Sequence, residues 1–265
     1  MRQSEVFPYY RKCCTAIEEI YNIIKDYYEG DFVEELMTLR AYVSEEQRRE
    51  IERRNLGRCS IIPEVLGGMA DELGFITKGQ SFLLDNRYII PVYDVSGRLC
   101  TLVGYYPDVR KYVTVPTPFF SKEVMFFNFK EAYELSYKKY DGCVILVEGM
   151  FDCISLSALG LPAIATMGGN VGSIKGELLK VFKKVVGVPD NDSTGRRSLN
   201  RYSRYGWKVP SSATLVRLSG EYDFGSETRK IKDCDDIVSW FDADDVVYMF
   251  KDLFKLKEDI YDLKL

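Results

Sequence analysis

The apolar positions of the first 80 residues recur at the spacing of α-helices. The clearest series is Ile17, Ile20, Tyr21 and Ile24. A second series, from Ile62 to Leu73, predicts a helix that ends at Gly74. Between the two series, Ser44 and Gln47 have the spacing of a capping box at the start of a charged helix. We therefore predict a helical N-terminal region over residues 1–84.

The pattern changes at residue 85, where β-branched and aromatic residues become frequent. Arg87–Tyr93 and Leu99–Tyr105 have the composition of strands, and the turn-forming residues Asp94–Arg98 separate them. This arrangement predicts a β-hairpin. We assign residues 85–141 to a mixed α+β subdomain that contains the hairpin and ends in a helix from residue 129.

Two lysines, Lys111 and Lys122, follow the hairpin in a segment rich in aromatic residues and prolines. The prolines favour a rigid, extended loop over a central strand. Lysines beside aromatic side chains suit contacts with phosphates and bases. Surface lysines on a loop are the alternative, and these residues alone favour it.

Beyond residue 142, short apolar runs alternate with helical patterns. The predicted strands are Val144–Val147, Ala163–Thr166, Val185–Val188 and Ala213–Leu218. One intervening helix has Ile174, Leu178, Val181 and Phe182 as its predicted apolar face. Strand–helix alternation predicts a parallel sheet with helices on both faces. We assign this α/β domain to residues 142–242 and a C-terminal helix to residues 243–265.

Two of the predicted strands end directly at acidic residues. Glu148 and Asp152 follow one strand, and Asp190 and Asp192 follow another. A third acidic cluster consists of Asp233, Asp235 and Asp236. Open α/β sheets place their sites at the carboxyl ends of strands, and clustered carboxylates favour Mg²⁺ held near phosphates. The alternative is that these acids cap helices and solvate loops.

Glycines and arginines near these acids add candidate phosphate contacts. Gly168 and Gly169 lie at a strand-to-helix turn, where their backbone N–H groups can approach a phosphate closely, although a plain tight turn has the same sequence. Arg196 begins a basic, aromatic stretch that predicts a further helix.

Composition excludes several kinds of chemistry. The chain has 265 residues, a net charge of −4 and no histidine, so it has no Ser-His-Asp triad and no His-containing zinc site. Its seven cysteines form no CxxC pair, which argues against zinc and favours a reducing cytoplasm. We expect a cytoplasmic protein, in the host cytoplasm if phage-encoded, with no membrane span and no signal peptide.

Three motifs resemble the acidic motifs of the Toprim domain of primases, topoisomerases and some nucleases. They are EGMFD (Glu148–Asp152), DNDSTG (Asp190–Gly195) and KDCDD (Lys232–Asp236). The segment from Arg87 to Phe129 resembles the region before Toprim in DnaG-type primases, and its Lys111 and Lys122 match the two basic residues of that family's polymerase site. The family's N-terminal zinc-binding module and a helicase motor have no counterpart in this sequence.

The resemblance implies a DNA primase that makes short RNA primers from NTPs on single-stranded DNA, with a replicative helicase as a further candidate partner. Mg²⁺ or Mn²⁺ would be the cofactor, without zinc. The implied metal ligands are Glu148, Asp190, Asp192, Asp233 and Asp235. Glu148, Asp190, Asp192, Lys111 and Lys122 would be catalytic, and Gly168, Gly169 and Arg196 would contact phosphates or template. The alternatives are a Toprim nuclease and a non-catalytic Toprim replication or host-takeover factor.

Overall fold

A computed structural model describes residues 3–39, 44–109, 111–122, 124–167, 171–193, 195 and 213–265. The chain divides into two compact units. The N-terminal unit contains Met1–Val43 and Ile51–Phe120, and the C-terminal unit contains Ser44–Glu50 and Ser121–Leu265.

Three helices begin the chain, and the predicted series Ile17, Ile20, Tyr21 and Ile24 lies on the first of them. The three helices are α1 (Gln3–Asp26), α2 (Phe32–Leu39) and α3 (Glu45–Arg53). The capping box at α3 is confirmed, because the Ser44 and Gln47 side chains each accept from the other's backbone N–H at 3.1 Å. This reciprocal pair satisfies two N–H groups that a helix start otherwise leaves without partners.

The predicted helix from Ile62 to Leu73 is wrong. The structure has a 3₁₀ turn at Pro63–Leu66 and a single α-turn, α4 (Met69–Glu72). Gly67 separates them with φ 77°, in the left-handed region that a helix interior does not contain. Gly74, with φ 80°, ends the second turn as predicted.

The hairpin is confirmed within a four-stranded antiparallel sheet. Its strands, in spatial order, are β1 (Gly57–Cys59), β2 (Arg87–Tyr93), β3 (Leu99–Tyr106) and β4 (Lys111–Thr114). At the hairpin turn, Asp94 Oδ1 accepts from the backbone N–H groups of Ser96 and Arg98, both at 2.8 Å. The segment predicted as a loop at Lys111 is instead the edge strand β4, a position that tolerates the prolines that follow it.

The N-terminal helix and this sheet share one core. Ile17, Ile20 and Ile24 of α1 pack in the same apolar cluster as Ile89 and Leu102. The N-terminal unit therefore extends across the predicted boundary at residue 84, because the buried face of α1 is covered by the hairpin.

The C-terminal unit contains a five-stranded parallel sheet, as predicted. Its strands are β5 (Cys143–Val147), β6 (Ala163–Ala165), β7 (Lys184–Gly187), β8 (Ala213–Ser219) and β11 (Ile260–Lys264), with β9 (Glu221–Asp223) and β10 (Thr228–Lys230) forming a separate hairpin. Its helices are α5 (Phe129–Lys139), α6 (Met150–Ala158), α7 (Ser173–Leu179), α8 (Cys234–Trp240) and α9 (Ala243–Leu253). The mixed α/β class with a helix-flanked parallel sheet is confirmed.

The chain end differs from the predicted C-terminal helix. Helix α9 ends at Leu253, and β11 then pairs in parallel with β8. The first ladder bond runs from the Leu215 N–H to the Asp259 carbonyl at 2.8 Å. Residues 260–264 therefore form an edge strand, because β8 pairs with them along its length from Leu215 to Ser219.

Strand order places a topological switch between β5 and β7. The spatial order is β11-β8-β7-β5-β6, so the chain leaves β5 for β6 on one side and then returns to β7 on the other. At such a point the two connections diverge and leave a crevice at the carboxyl ends of the strands, where open α/β sheets bind ligands.

No helix in the described part of the chain combines the length and the apolar character needed to cross a bilayer.

Candidate metal centre

Glu148 and Asp190 extend from the carboxyl ends of the two strands at the switch point. Leu146 of β5 is paired with Gly187 of β7, and each acid follows its strand within three residues. A narrow crevice of about 10 Å³ lies between the strand ends, lined by Leu146, Val147, Glu148, Gly187, Val188 and Pro189. The predicted meeting of the first two acidic motifs is thus present in the fold.

The charges at this edge act on one another. Burial, followed by the negative charges of Glu148 and Asp233, raises the pKa of Asp190 to about 7. Lys232 acts in the opposite direction but does not cancel the increase. Nearby like charges disfavour ionisation, so acids of all three motifs contribute to the raised pKa of Asp190, after the larger effect of burial.

Asp152, the second acid of the first motif, lies in the first turn of α6. It is buried, and its Oδ1 accepts from the Asp235 backbone N–H at 3.0 Å. Burial, followed by the charges of Asp233 and Asp190, raises its pKa well above the ordinary value. Gly149 makes room for it, since a Cβ at that position would lie 2.3 Å from Asp152 Oδ2.

The third acidic motif divides into capping and buried residues. Asp233 is the N-cap of α8, where its Oδ1 accepts from the Asp236 backbone N–H at 3.0 Å. Burial and then Asp233 raise the pKa of Asp236 to about 6. Asp235 is only 6% exposed and accepts from the Ser155 hydroxyl. Asp235 therefore also helps to join α8 to α6.

Asp192 and its neighbour Asn191 shape the second acidic motif. Asp192 Oδ1 accepts from the Gly195 backbone N–H at 2.8 Å. Asn191 donates its backbone N–H to the Lys232 carbonyl at 2.6 Å and its Nδ2 to the Ile231 carbonyl at 3.0 Å. Asn191 thus connects the second motif to the third, a role that its position between two aspartates did not reveal.

The donors at this edge fit a hard divalent cation. They are carboxylate oxygens, which Mg²⁺ and Mn²⁺ prefer, and a bound cation would offset the repulsion that raises the pKa of Asp190. Among the described residues, no three His, Cys, Asp or Glu side chains are arranged closely enough to hold an ion by themselves. The five predicted ligands therefore do not form one preformed shell, and water and phosphate oxygens would have to complete the coordination of an ion held by a subset of them.

The other predicted site residues are distributed over the chain. Lys111 is exposed at the start of β4 in the N-terminal unit, and Lys122 is half-buried in a turn of the C-terminal unit. Gly168, Gly169 and Arg196, with the predicted basic helix after Arg196, lie outside the described residues.

Comparison with known proteins identifies the domain that carries these acids. A family model described as Toprim-like matches residues 145–238. The chain is 34% identical over 119 residues to the DNA primase of Aquifex aeolicus, an alignment that covers 43% of this chain and 24% of that protein. It is 30% identical over 138 residues to the DNA primase of Clostridium acetobutylicum, with 49% and 23% covered. The chain thus spans about a quarter of the length of these curated relatives.

Solved structures show the same fold. The crystal structure of the zinc-binding and RNA polymerase domains of Aquifex aeolicus primase superposes with a TM-score of 0.69 at 22% identity, covering 89% of this chain and 60% of that one. The DnaG primase catalytic domain bound to ssDNA gives a TM-score of 0.65 at 17% identity, with 90% and 80% covered. Residues 145–238 are therefore a Toprim-like domain, in a chain that is related to bacterial DNA primases and has the fold of DnaG-type catalytic cores.

Proposed function

We propose that this chain synthesises short RNA primers from ribonucleoside triphosphates on single-stranded DNA, with Mg²⁺ or Mn²⁺ as the cofactor. The observation that carries the proposal is that Glu148 and Asp190 follow adjacent strands at the switch point of a Toprim-like domain. The third acidic motif is joined to the other two by the Asn191 N–H bond to the Lys232 carbonyl and by the Asp235 N–H bond to Asp152. The relationship to proteins named DNA primase selects primer synthesis among the reactions that such carboxylates support. A replicative helicase is a proposed further partner.

The carboxylates would hold the metal and prepare the attacking hydroxyl. Asp190 and Asp192, with Asp233 and Asp235, would bind metal, and Glu148 would either join them or accept the proton of the primer 3′-hydroxyl. When bound, a divalent cation neutralises the charge that develops on the attacking and leaving oxygens. A proton acceptor must come within hydrogen-bond reach of the hydroxyl, and Glu148 directly follows β5 and is partly exposed there.

Basic groups would hold the nucleotide and the template. Lys111, Lys122 and Arg196 are proposed contacts for the triphosphate or the template strand, and the backbone N–H groups of Gly168 and Gly169 are proposed phosphate contacts. Single-stranded DNA as template is supported by the related catalytic domain, whose structure was solved bound to ssDNA.

Primer synthesis on single-stranded DNA with labelled NTPs tests this function. Asp190→Asn keeps the side-chain volume but removes the charge, and we expect it to lower synthesis by more than about a hundredfold because a direct ligand is lost. The matched control is Glu134→Gln, which neutralises an exposed acid on α5 that pairs with Lys130, and we expect it to be fully active.

The alternative functions give different products in the same assay. Metal-dependent DNA cleavage without RNA synthesis would identify a Toprim nuclease. Neither product with Mg²⁺ or Mn²⁺ would indicate a non-catalytic Toprim protein. An Asp190→Asn variant with unchanged synthesis would remove the proposed metal centre from the reaction.

A further inference from the structure

Lys175 in α7 is a lysine without solvent exposure. The apolar spacing predicts that Ile174 faces the core, but Ile174 is 56% exposed and Lys175 is 0% exposed. The helix is therefore rotated by one residue from its predicted orientation. Burying an ammonium group costs free energy unless polar groups hold it, so the groups that hold Lys175 indicate what its burial serves.

The Lys175 ammonium contacts the end of strand β6. Its Nζ donates to the Thr166 carbonyl at 2.8 Å and lies 5.2 Å from the centre of the Phe126 ring. Thr166 in turn donates its N–H to the Val147 carbonyl at 3.0 Å, and its hydroxyl makes a long contact of 3.4 Å with the Glu148 carbonyl. Thr166 thus lies between the buried ammonium and the backbone that carries Glu148.

The residue after Thr166 has an unusual backbone conformation. Met167 is buried and has φ 59°, in the left-handed region that residues other than glycine adopt at a cost in energy. The carbonyl that accepts from Lys175 belongs to the peptide group between Thr166 and Met167. The hydrogen bond therefore holds in place the peptide group that directly precedes Met167, the residue in the unfavourable left-handed conformation.

We propose that Lys175 is a positioning residue of the metal centre. Its ammonium fixes the Thr166–Met167 peptide group and, through Thr166, the backbone at Val147 and Glu148. It acts through the backbone and contacts neither the metal nor the substrate. This inference rests on the metal centre of the proposed function but not on primer synthesis.

Lys184 provides a matched control in the same sheet. It is only 5% exposed, and its Nζ also donates to a backbone carbonyl, that of Leu256. It lies at the first residue of β7, opposite the carboxyl ends that carry the acids. Burial lowers the pKa of Lys184. Both lysines are buried and donate to a backbone carbonyl, but Lys175 contacts the carboxyl end of the sheet and Lys184 lies at the opposite end.

Calorimetric titration of the full chain with Mn²⁺, together with its melting temperature, tests the proposal. Lys175→Met keeps the side-chain length, removes a buried charge and leaves the Thr166 carbonyl without this donor, so its melting temperature is measured first to show that the variant folds. We expect its dissociation constant for Mn²⁺ to rise about tenfold, as when an outer partner of a metal ligand is lost. Lys184→Met should bind Mn²⁺ as the unchanged chain does.

Unchanged Mn²⁺ affinity in folded Lys175→Met, or an equal loss in Lys184→Met, would overturn the proposal. If Lys175→Met does not fold, Lys175→Gln decides by the same criterion, since its amide is one bond shorter and does not reach the same carbonyl. Failure of both variants to fold would assign Lys175 to the fold alone. An unchanged chain that binds Mn²⁺ but makes no primers contradicts only the proposed function, whereas one that does not bind Mn²⁺ contradicts both.

Discussion

The charge of Asp190 depends on its burial and on the acidic side chains near it. Burial and the neighbouring acids raise its pKa to about 7, so the metal-free protein keeps a proton there at higher pH than an ordinary aspartate does. The folded-state pKa lies above the unfolded value near 3.8, so the folded state binds more protons than the unfolded state between these values. Stability contributed at this residue is therefore lost as the pH rises from about 4 to about 7.

This sign gives a prediction for the metal-free chain. In EDTA at pH 8, Asp190→Asn removes an unfavourable buried charge, and we expect the melting temperature to rise by about 2–5 °C. At pH 4 the aspartic acid is largely neutral, and the difference should disappear. The measurement is thermal unfolding across this pH range, with Glu134→Gln as the control that should show no such trend. An Asp190→Asn variant that is less stable at pH 8 would contradict the assigned repulsion.

The sequence predicts where the acids lie but not the individual role of each one. The strand-end positions of Glu148 and Asp190 follow from local pattern, because a strand and the residue after it are adjacent in the chain. The different roles of the acids in the third motif do not follow from local pattern, because Asp235 accepts a hydrogen bond from Ser155, which lies 80 residues away in the chain. The burial of Lys175 is not predictable from the sequence for a related reason, since spacing alone does not distinguish adjacent orientations of a seven-residue helix.

At the scale of elements, the turn from β5 into α6 depends on a glycine. Asp152 Oδ2 occupies the space that a side chain at position 149 would need, with a separation of 2.3 Å from an ideal Cβ. We expect Gly149→Ala to displace the Asp152 carboxylate and its bond to the Asp235 N–H, with a loss of Mn²⁺ affinity and a cost of about 1–3 kcal/mol in the free energy of unfolding.

The matched control for this turn is Gly176→Ala in α7. An added Cβ there meets nothing within 4 Å, so the change should stabilise the helix by about 0.5–1 kcal/mol. Urea unfolding and Mn²⁺ titration of both variants make the comparison. Equal behaviour of the two alanine variants would show that Asp152 adapts to a side chain at position 149.

Elements were predicted well where one local signal dominates. The two hairpin strands and the Toprim strands have strong β composition and clear punctuation by turn residues. The errors have two different causes. The predicted helix at Ile62–Leu73 is interrupted locally at Gly67, whereas the edge strands β4 and β11 form by pairing with the neighbouring strands β3 and β8. Strand pairing is a non-local property, and apolar spacing does not encode it.

At the scale of the whole molecule, the predicted site residues are divided between two units. The acids and Lys122 belong to the C-terminal unit, whereas Lys111 belongs to the N-terminal unit. The four predicted segments do not anticipate this division, because the N-terminal helix and the hairpin share a core. The proposed metal centre and the proposed nucleotide contact of Lys111 can therefore be tested by separate mutations in the intact chain.

Lys111→Ala provides that separation. Lys111 is an exposed side chain on the edge strand β4, so its removal should leave the fold and Mn²⁺ binding unchanged. If it contacts the triphosphate, the KM for NTPs in primer synthesis should rise about tenfold, the effect of losing one hydrogen bond to a charged group. The control is Lys78→Ala, an exposed lysine in the same unit, which should leave the KM unchanged. A Lys111→Ala variant that loses affinity for single-stranded DNA while retaining its KM for NTPs would place Lys111 at the template instead.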